Sequence, residues 1–240
     1  MDPLLREVRL EPGRVTDPEA FPFALPAVQA LRRALAFHPQ VTFLVGENGS
    51  GKSTILEALA TKLDLDAEGG DTVMTFVERE ADTPLHEALV LARGARSPSM
   101  RYFLRAESFF NVARHVDANP RALKAHGGQA LHGMSHGESF LTLVVERFYP
   151  DGLFLLDEPE AAMSPQGCLT LLRRMRELAL DGAQFVIATH SPLLLAYPDA
   201  TIYELGDDGI ETVSYEDTDH YRLTRAFLEA PERYLRQLFA

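Results

Sequence analysis

The sequence predicts an α/β fold built on a mainly parallel sheet, and three observations carry that expectation. An apolar run, Val41 to Val45, leads into the glycine-rich loop Gly46–Thr54. A helical pattern follows from Ser53 to Leu63, with Ile55, Leu56, Leu59 and Leu63 on one face. Two more apolar runs, Leu153–Leu156 and Gln184–Thr189, return later in the chain. The first of these has no polar alternation, as expected of a strand buried on both faces of a parallel sheet. Each is followed by a Ser-Pro pair, Ser164-Pro165 and Ser191-Pro192, that reads as a helix start.

The remaining elements follow in order. Glu7–Leu10 reads as a strand and Pro26–Phe37 as a short proline-edged helix. Thr72–Glu78 is β-like. From about residue 82 to 150 the pattern is mainly helical. Thr83-Pro84 supplies an N-cap and first-turn proline, and Leu85, Ala88, Leu89 and Leu91 continue that helix. Tyr102–Leu104 reads as a short strand. A helix from Gly137 to about Tyr149 packs Phe140, Leu141, Val144, Val145 and Phe148, and another runs from Pro165 to Leu180. Thr201–Leu205 and Ile210–Val213 form a hairpin about Gly206-Asp207-Asp208-Gly209. The tail, His220–Phe239, is helical with a break at Pro231. The expected organisation is a single domain over 1–240, within which about 82–150 is a smaller helical part.

Composition narrows the class. With 240 residues and 46 % hydrophobic content the chain can bury one large core. No apolar run approaches the ~20 residues needed to cross a bilayer, so no membrane insertion is expected. Residues 1–20 are too charged and proline-rich for a secretory signal. The single cysteine, Cys168, excludes an internal disulfide framework and reads as packing beside Leu169 and Leu172. These absences together give a cytoplasmic expectation. A net charge of −12 does not support nucleic-acid binding, since affinity for phosphate backbones rests on released counterions. Arg93, Arg96, Arg101 and Arg105 are either a local basic patch or a solvated face.

The chemistry is concentrated in the glycine loop. Gly46-Glu47-Asn48-Gly49-Ser50-Gly51-Lys52-Ser53-Thr54 matches G-x-x-x-x-G-K-[ST], a P-loop in the strand–loop–helix context that pattern needs. Backbone N–H groups and the helix N-terminus suit phosphate oxygens. In that motif Lys52 is expected to reach the β- and γ-phosphates of ATP, and the Ser53 hydroxyl to hold Mg2+. Asp157, at the carboxyl end of a buried strand, would bind Mg2+ directly or through water, unless the acidic pair is only a solvated turn. Glu158, next along, sits where a general base would polarise a water. His190 ends the third strand, where it could hydrogen-bond the γ-phosphate or that water.

Ser135 stands 22 positions before Asp157 in Met134-Ser135-His136-Gly137-Glu138-Ser139, and His190 stands 33 after it in Ala188-Thr189-His190-Ser191. The order of P-loop, signature, Asp-Glu and switch histidine resembles the ABC-type ATPases. The likeness spans about residues 41 to 196, with Ala161–Pro165 falling at the D-loop. The signature departs from the family's LSGGQ, with His136 for Gly and Glu138 for Gln. The resemblance implies a P-loop NTPase fold, an ABC ATPase head with a helical signature-bearing insert. It also implies a homodimer closing head to tail on ATP, in which Ser135, Gly137 and Glu138 of one copy meet the nucleotide on the P-loop of the other.

Only 83 positions separate Lys52 from Ser135, without sustained heptads, so the chain resembles the small stand-alone RecF/SMC-like branch. The family's Q-loop glutamine has no clear equivalent. Gln129 lies too near the signature. Glu107, in Arg105–Asn111, could contact Mg2+ in its place or be a surface carboxylate. Phe21 and Phe23 are candidates for adenine stacking or for the core. The implied role is a motor or switch in DNA repair, chromosome maintenance or phage defence, acting on an unidentified protein partner. A transporter nucleotide-binding subunit and a slow regulatory ATP switch are the alternatives.

Overall fold

The computed structural model describes residues 2–67, 69–71, 84–109 and 136–240. The readings of Thr72–Glu78, Thr83, Gln129 and Ser135 lie outside the described residues. Ten strands and eight helices are seen among those described. The strands are β1 (Leu5–Leu10), β2 (Leu35–Ala36), β3 (Val41–Gly46), β4 (Gly70–Asp71), β5 (Leu89–Arg93), β6 (Arg101–Arg105), β7 (Leu153–Asp157), β8 (Gln184–Ala188), β9 (Thr201–Gly206) and β10 (Gly209–Val213). The helices are α1 (Pro26–Ala30), α2 (Lys52–Lys62), α3 (Leu85–Ala88), α4 (His136–Arg147), α5 (Pro165–Leu180), α6 (Pro192–Leu195), α7 (Asp219–Glu229) and α8 (Pro231–Leu238).

The central sheet has the order β10-β9-β3-β8-β7-β6-β4. Its five middle strands run parallel, and only the outer pairs, β10 on β9 and β4 on β6, are antiparallel. Strands β3, β7 and β8 are buried along their whole length. Alternate residues of each face opposite layers. Phe43, Phe154, Leu156, Phe185 and Ile187 pack toward α4 and α5 in one cluster. Leu44, Leu153, Leu155, Val186 and Ala188 pack toward α2 and a small antiparallel sheet, β2-β1-β5, in the other. Gln184 ties the two sheets together. Fully buried, its amide donates to Leu5 O (2.8 Å) and His38 O (2.9 Å) and accepts from Leu5 N (2.7 Å).

Two elements differ from the sequence reading. The helix expected through Leu91 ends at Ala88, and Leu89 and Leu91 pair instead with Leu10 and Val8 across β1. The helix expected over Pro26–Phe37 ends at Ala30, because Leu35 and Ala36 are taken by β1 as its other neighbour. In both cases pairing with a distant strand outweighs local propensity. None of the described helices is long and apolar enough to cross a membrane.

Candidate functional site

The parallel order brings the carboxyl ends of β3, β8 and β7 side by side, the usual place for a ligand in an open α/β sheet. Gly46 ends β3, Thr189-His190 follow β8, and Asp157-Glu158 close β7. The loop after β3 turns into α2 through Gly51, whose φ of +100° suits glycine. Gly46 has a second constraint. It pairs with Leu205 on β9, and a Cβ there would lie 2.3 Å from Leu205 O.

The local polar groups fit a phosphate. Gly51 offers α2 no side-chain cap, so its first-turn N–H groups are free of one. Ser50 Oγ is buried without a hydrogen-bond partner among the described residues. Lys52 is buried, and its Nζ donates to Gly46 O (2.9 Å) and Glu47 O (2.8 Å), folded back onto its own loop. Burial lowers its pKa, while Glu158, Asp157 and Glu160 oppose that shift. Glu47, Asn48 and Gly49 line an open cleft of about 630 Å³, whose other walls include Leu25, Pro26, Glu204, the Gly206–Gly209 turn, Glu211 and Asp219. Thr54 is half-buried on α2.

Ser53 Oγ donates to Asp157 Oδ1 at 3.0 Å, so a hydroxyl and a carboxylate share one spot at the start of α2. Two hard oxygens beside a phosphate cradle suit Mg2+, which takes few protein ligands and completes its shell with phosphate and water. Asp157 is almost fully buried, and burial pushes its carboxyl up to about 6. Arg105 and the Ser53 hydrogen bond work against that rise, and Glu158 and Glu107 add to it. Arg105 Nε lies 3.4 Å from Asp157 Oδ2, and its guanidinium also meets Glu57 and Glu107 at 3.5 Å each. Glu107 is largely exposed and approaches Asp157 through that arginine.

Glu158 adopts φ +47° and ψ +49°, a left-handed conformation rare for a residue with a Cβ and worth about 1–2 kcal/mol of strain. Its N–H donates to Ala188 O (2.9 Å), and its carboxylate reaches to within 3.4 Å of His190 Nε2. Such strain at a strand end is a mark of a held geometry. His190 is further fixed by Glu160, whose Oε1 accepts from the His190 backbone N–H at 2.5 Å. Gly137 lies in the first turn of α4, where its Cβ would approach Ala162 O at 3.2 Å, so that turn packs on the segment following Glu158. Glu138 beside it is exposed. Phe23 is buried in the core and Phe21 is exposed.

Three further residues were not singled out from the sequence as site residues. Arg105 stands out in the sequence only as part of an arginine run. In the structure Arg96 pairs with Asp151, Arg101 with Asp64 and Arg105 with Asp157, so three of the four arginines are engaged by carboxylates. Glu160 and His220 carried no signal of their own, because neither lies in a motif.

A family model described as "AAA domain, putative AbiEii toxin, Type IV TA system" matches residues 124–196, and one described as "AAA domain" matches residues 31–72. These two stretches hold the P-loop, Asp157, Glu158 and His190. Over both stretches the chain is similar to P-loop ATPase domains of the AAA/ABC type. ABC transporter G family member 9 of Dictyostelium discoideum is 26 % identical to this chain over 229 residues, 82 % of this chain and 16 % of its own length. Ribose import ATP-binding protein RbsA 1 of Rhizobium meliloti (strain 1021) is 29 % identical over 188 residues, 70 % of this chain and 37 % of its own. The chain thus spans well under half the length of these curated relatives. Among solved structures, the SMC head domain from Thermotoga maritima matches with a TM-score of 0.46 and 17 % identity, covering 88 % of this chain and 98 % of that one.

Proposed function

We propose that this chain hydrolyses ATP to ADP and phosphate with Mg2+, and that two copies close head to tail around the nucleotide. The observation that supports this best is the meeting of Lys52, Ser53, Asp157, Glu158 and His190 at three adjacent strand ends. There Ser53 and Asp157 lie 3.0 Å apart, and Glu158 and His190 lie 3.4 Å apart. In this reading Lys52 leaves its loop carbonyls for the β- and γ-phosphates. Ser53 and Asp157 hold Mg2+, and Glu107 contributes through water. The metal supplies charge neutralisation of the phosphates when bound. Glu158 takes the proton of the attacking water, and His190 steadies the γ-phosphate or that water. Ser135, Gly137 and Glu138 complete the site of the second copy.

In this proposal residues 1–240 act as one domain, and about 82–150 carry the signature toward the partner. The biological reading is a soluble, cytoplasmic RecF/SMC-like motor or switch in DNA repair, chromosome maintenance or phage defence. The glycine loop, the short distance from P-loop to signature and the toxin-type description of the matched family support it. A transporter subunit is the second reading, favoured by curated relatives that are ABC transporters. Light scattering of the Glu158→Gln variant tests the paired site. A dimer is expected with Mg-ATP and a monomer with Mg-ADP. Monomer alone with Mg-ATP at high protein concentration would remove the head-to-tail dimer.

A further inference from the structure

A second imidazole, from late in the chain, meets the His190 ring. His220, in the first turn of α7, places its Nε2 2.8 Å from His190 Nδ1. The position is built, not incidental. Thr218, fully buried, caps α7 by accepting from Tyr221 N (3.3 Å) while its hydroxyl donates to Tyr215 O (2.8 Å). That cap fixes the turn from which His220 projects.

A nitrogen–nitrogen contact of this length holds one hydrogen. Either His190 donates from Nδ1, or His220 donates from Nε2. The other face of His190 decides between them. Its Nε2 is buried, has no hydrogen-bond partner among the described residues, and lies 3.4 Å from Glu158 Oε1. An ionised carboxylate only accepts, so it favours hydrogen on Nε2 of His190. A neutral ring with hydrogen on Nε2 has a lone pair on Nδ1, and His220 must then be the donor. Burial, His190 and Lys52 all lower the His220 pKa, against the opposing pull of Asp219 and Glu47, which favours the neutral ring that this arrangement needs.

We propose that His220 is a positioning residue for the ATP site, donating from Nε2 to His190 Nδ1 so that His190 presents an Nε2–H toward Glu158 and the γ-phosphate. This rests on the ATPase reading above for its consequence, though not for its geometry. A neutral His190 of the other tautomer would turn a lone pair on a phosphate oxygen and repel it. By this contact α7 becomes part of the catalytic site, although no motif marks it.

The tautomer can be read directly from long-range proton–nitrogen NMR spectra of protein labelled with 15N-histidine, without nucleotide, above pH 8. The eight histidines are few enough to assign the pair with His190→Gln and His220→Gln. In the wild type, His190 is expected to show protonated Nε2 and unprotonated Nδ1. His220→Ala should leave His190 averaging between tautomers. His220→Gln, whose amide reaches the same place as a donor, should keep the wild-type pattern. In turnover assays His220→Ala should lose about tenfold in kcat with little change in KM, and His220→Gln should recover to within about threefold of wild type. A wild-type His190 protonated on Nδ1 overturns the proposal, and needs no variant to fold. An unchanged His190 pattern in His220→Ala also overturns it, as does a His220→Gln loss equal to that of alanine. Absence of ATP turnover in the wild type would instead count against the hydrolase reading, and leave the tautomer result to decide this proposal alone.

Discussion

Replacing Asp157 by Asn should make the nucleotide-free protein more stable while abolishing its proposed chemistry. The carboxylate is almost fully buried at the end of β7, and burial raises its pKa from 3.8 to about 6 in spite of Arg105 and Ser53. The folded state therefore prefers the neutral acid, and keeping the charge at neutral pH costs stability. At 1.36 kcal/mol for each tenfold change in acidity, the rise corresponds to about 3 kcal/mol. Asparagine removes that cost, in which the Arg105 attraction is already counted, and keeps an oxygen for the Ser53 hydroxyl, but its NH2 then faces the Arg105 donor at 3.4 Å without an acceptor between them, which takes back part of the gain. A net gain of about 1–2 kcal/mol at pH 7.5 is the result, or about 2–8 °C in Tm for a domain of this size. The sign with pH follows from a folded pKa above the unfolded one. The cost is absent below the unfolded value near 3.8, grows between 3.8 and about 6, and is complete above that. Urea unfolding in EDTA at pH 7.5 and 4.5 should thus show the advantage of the variant shrinking at the lower pH. A variant less stable than wild type at pH 7.5, or a gain equal at both pH values, would refute the argument.

Two further outcomes are expected. Lys52→Ala should lose ATP binding and turnover together, because the other lysine of α2, Lys62, lies ten residues on, about 15 Å along the helix; wild-type Mg-ATP affinity in calorimetry would contradict this. Gly46→Ala forces a Cβ to within 2.3 Å of Leu205 O at φ +142°, and should destabilise the fold by about 2–4 kcal/mol in chemical unfolding; a loss under about 0.5 kcal/mol would mean that β3 and β9 part easily.

Strands β3, β7 and β8 were legible because a strand covered on both faces is written as an unbroken apolar run. The span of α5 was legible for a different reason. Ser164 supplies an N-cap that accepts from Gly167 N at 3.2 Å, and Leu171, Met175 and Leu178 keep the helical period of its buried face. The segment at Leu89–Arg93 was not legible, since only β1 decides that its leucines belong to a strand. The same distinction applies to the site. Lys52, Ser53, Asp157, Glu158 and His190 each sit in a motif or at a strand end visible in the sequence. Arg105 becomes a neighbour of Asp157 only through the register of β6 on β7, in which the two residues are opposite. His220 arrives through the path of the chain after β10, and the left-handed turn at Glu158 has no compositional sign, because the residue is not glycine.

The most direct measurement of the central claim separates binding from chemistry in Glu158→Gln. The substitution keeps side-chain size and removes the base, while the P-loop contacts to phosphate are untouched. Calorimetry with Mg-ATP and phosphate-release assays on the same preparation should give an affinity within about threefold of wild type and a turnover lower by ~10²–10⁴. Turnover equal to that of wild type would contradict the account, and would move the base to another residue.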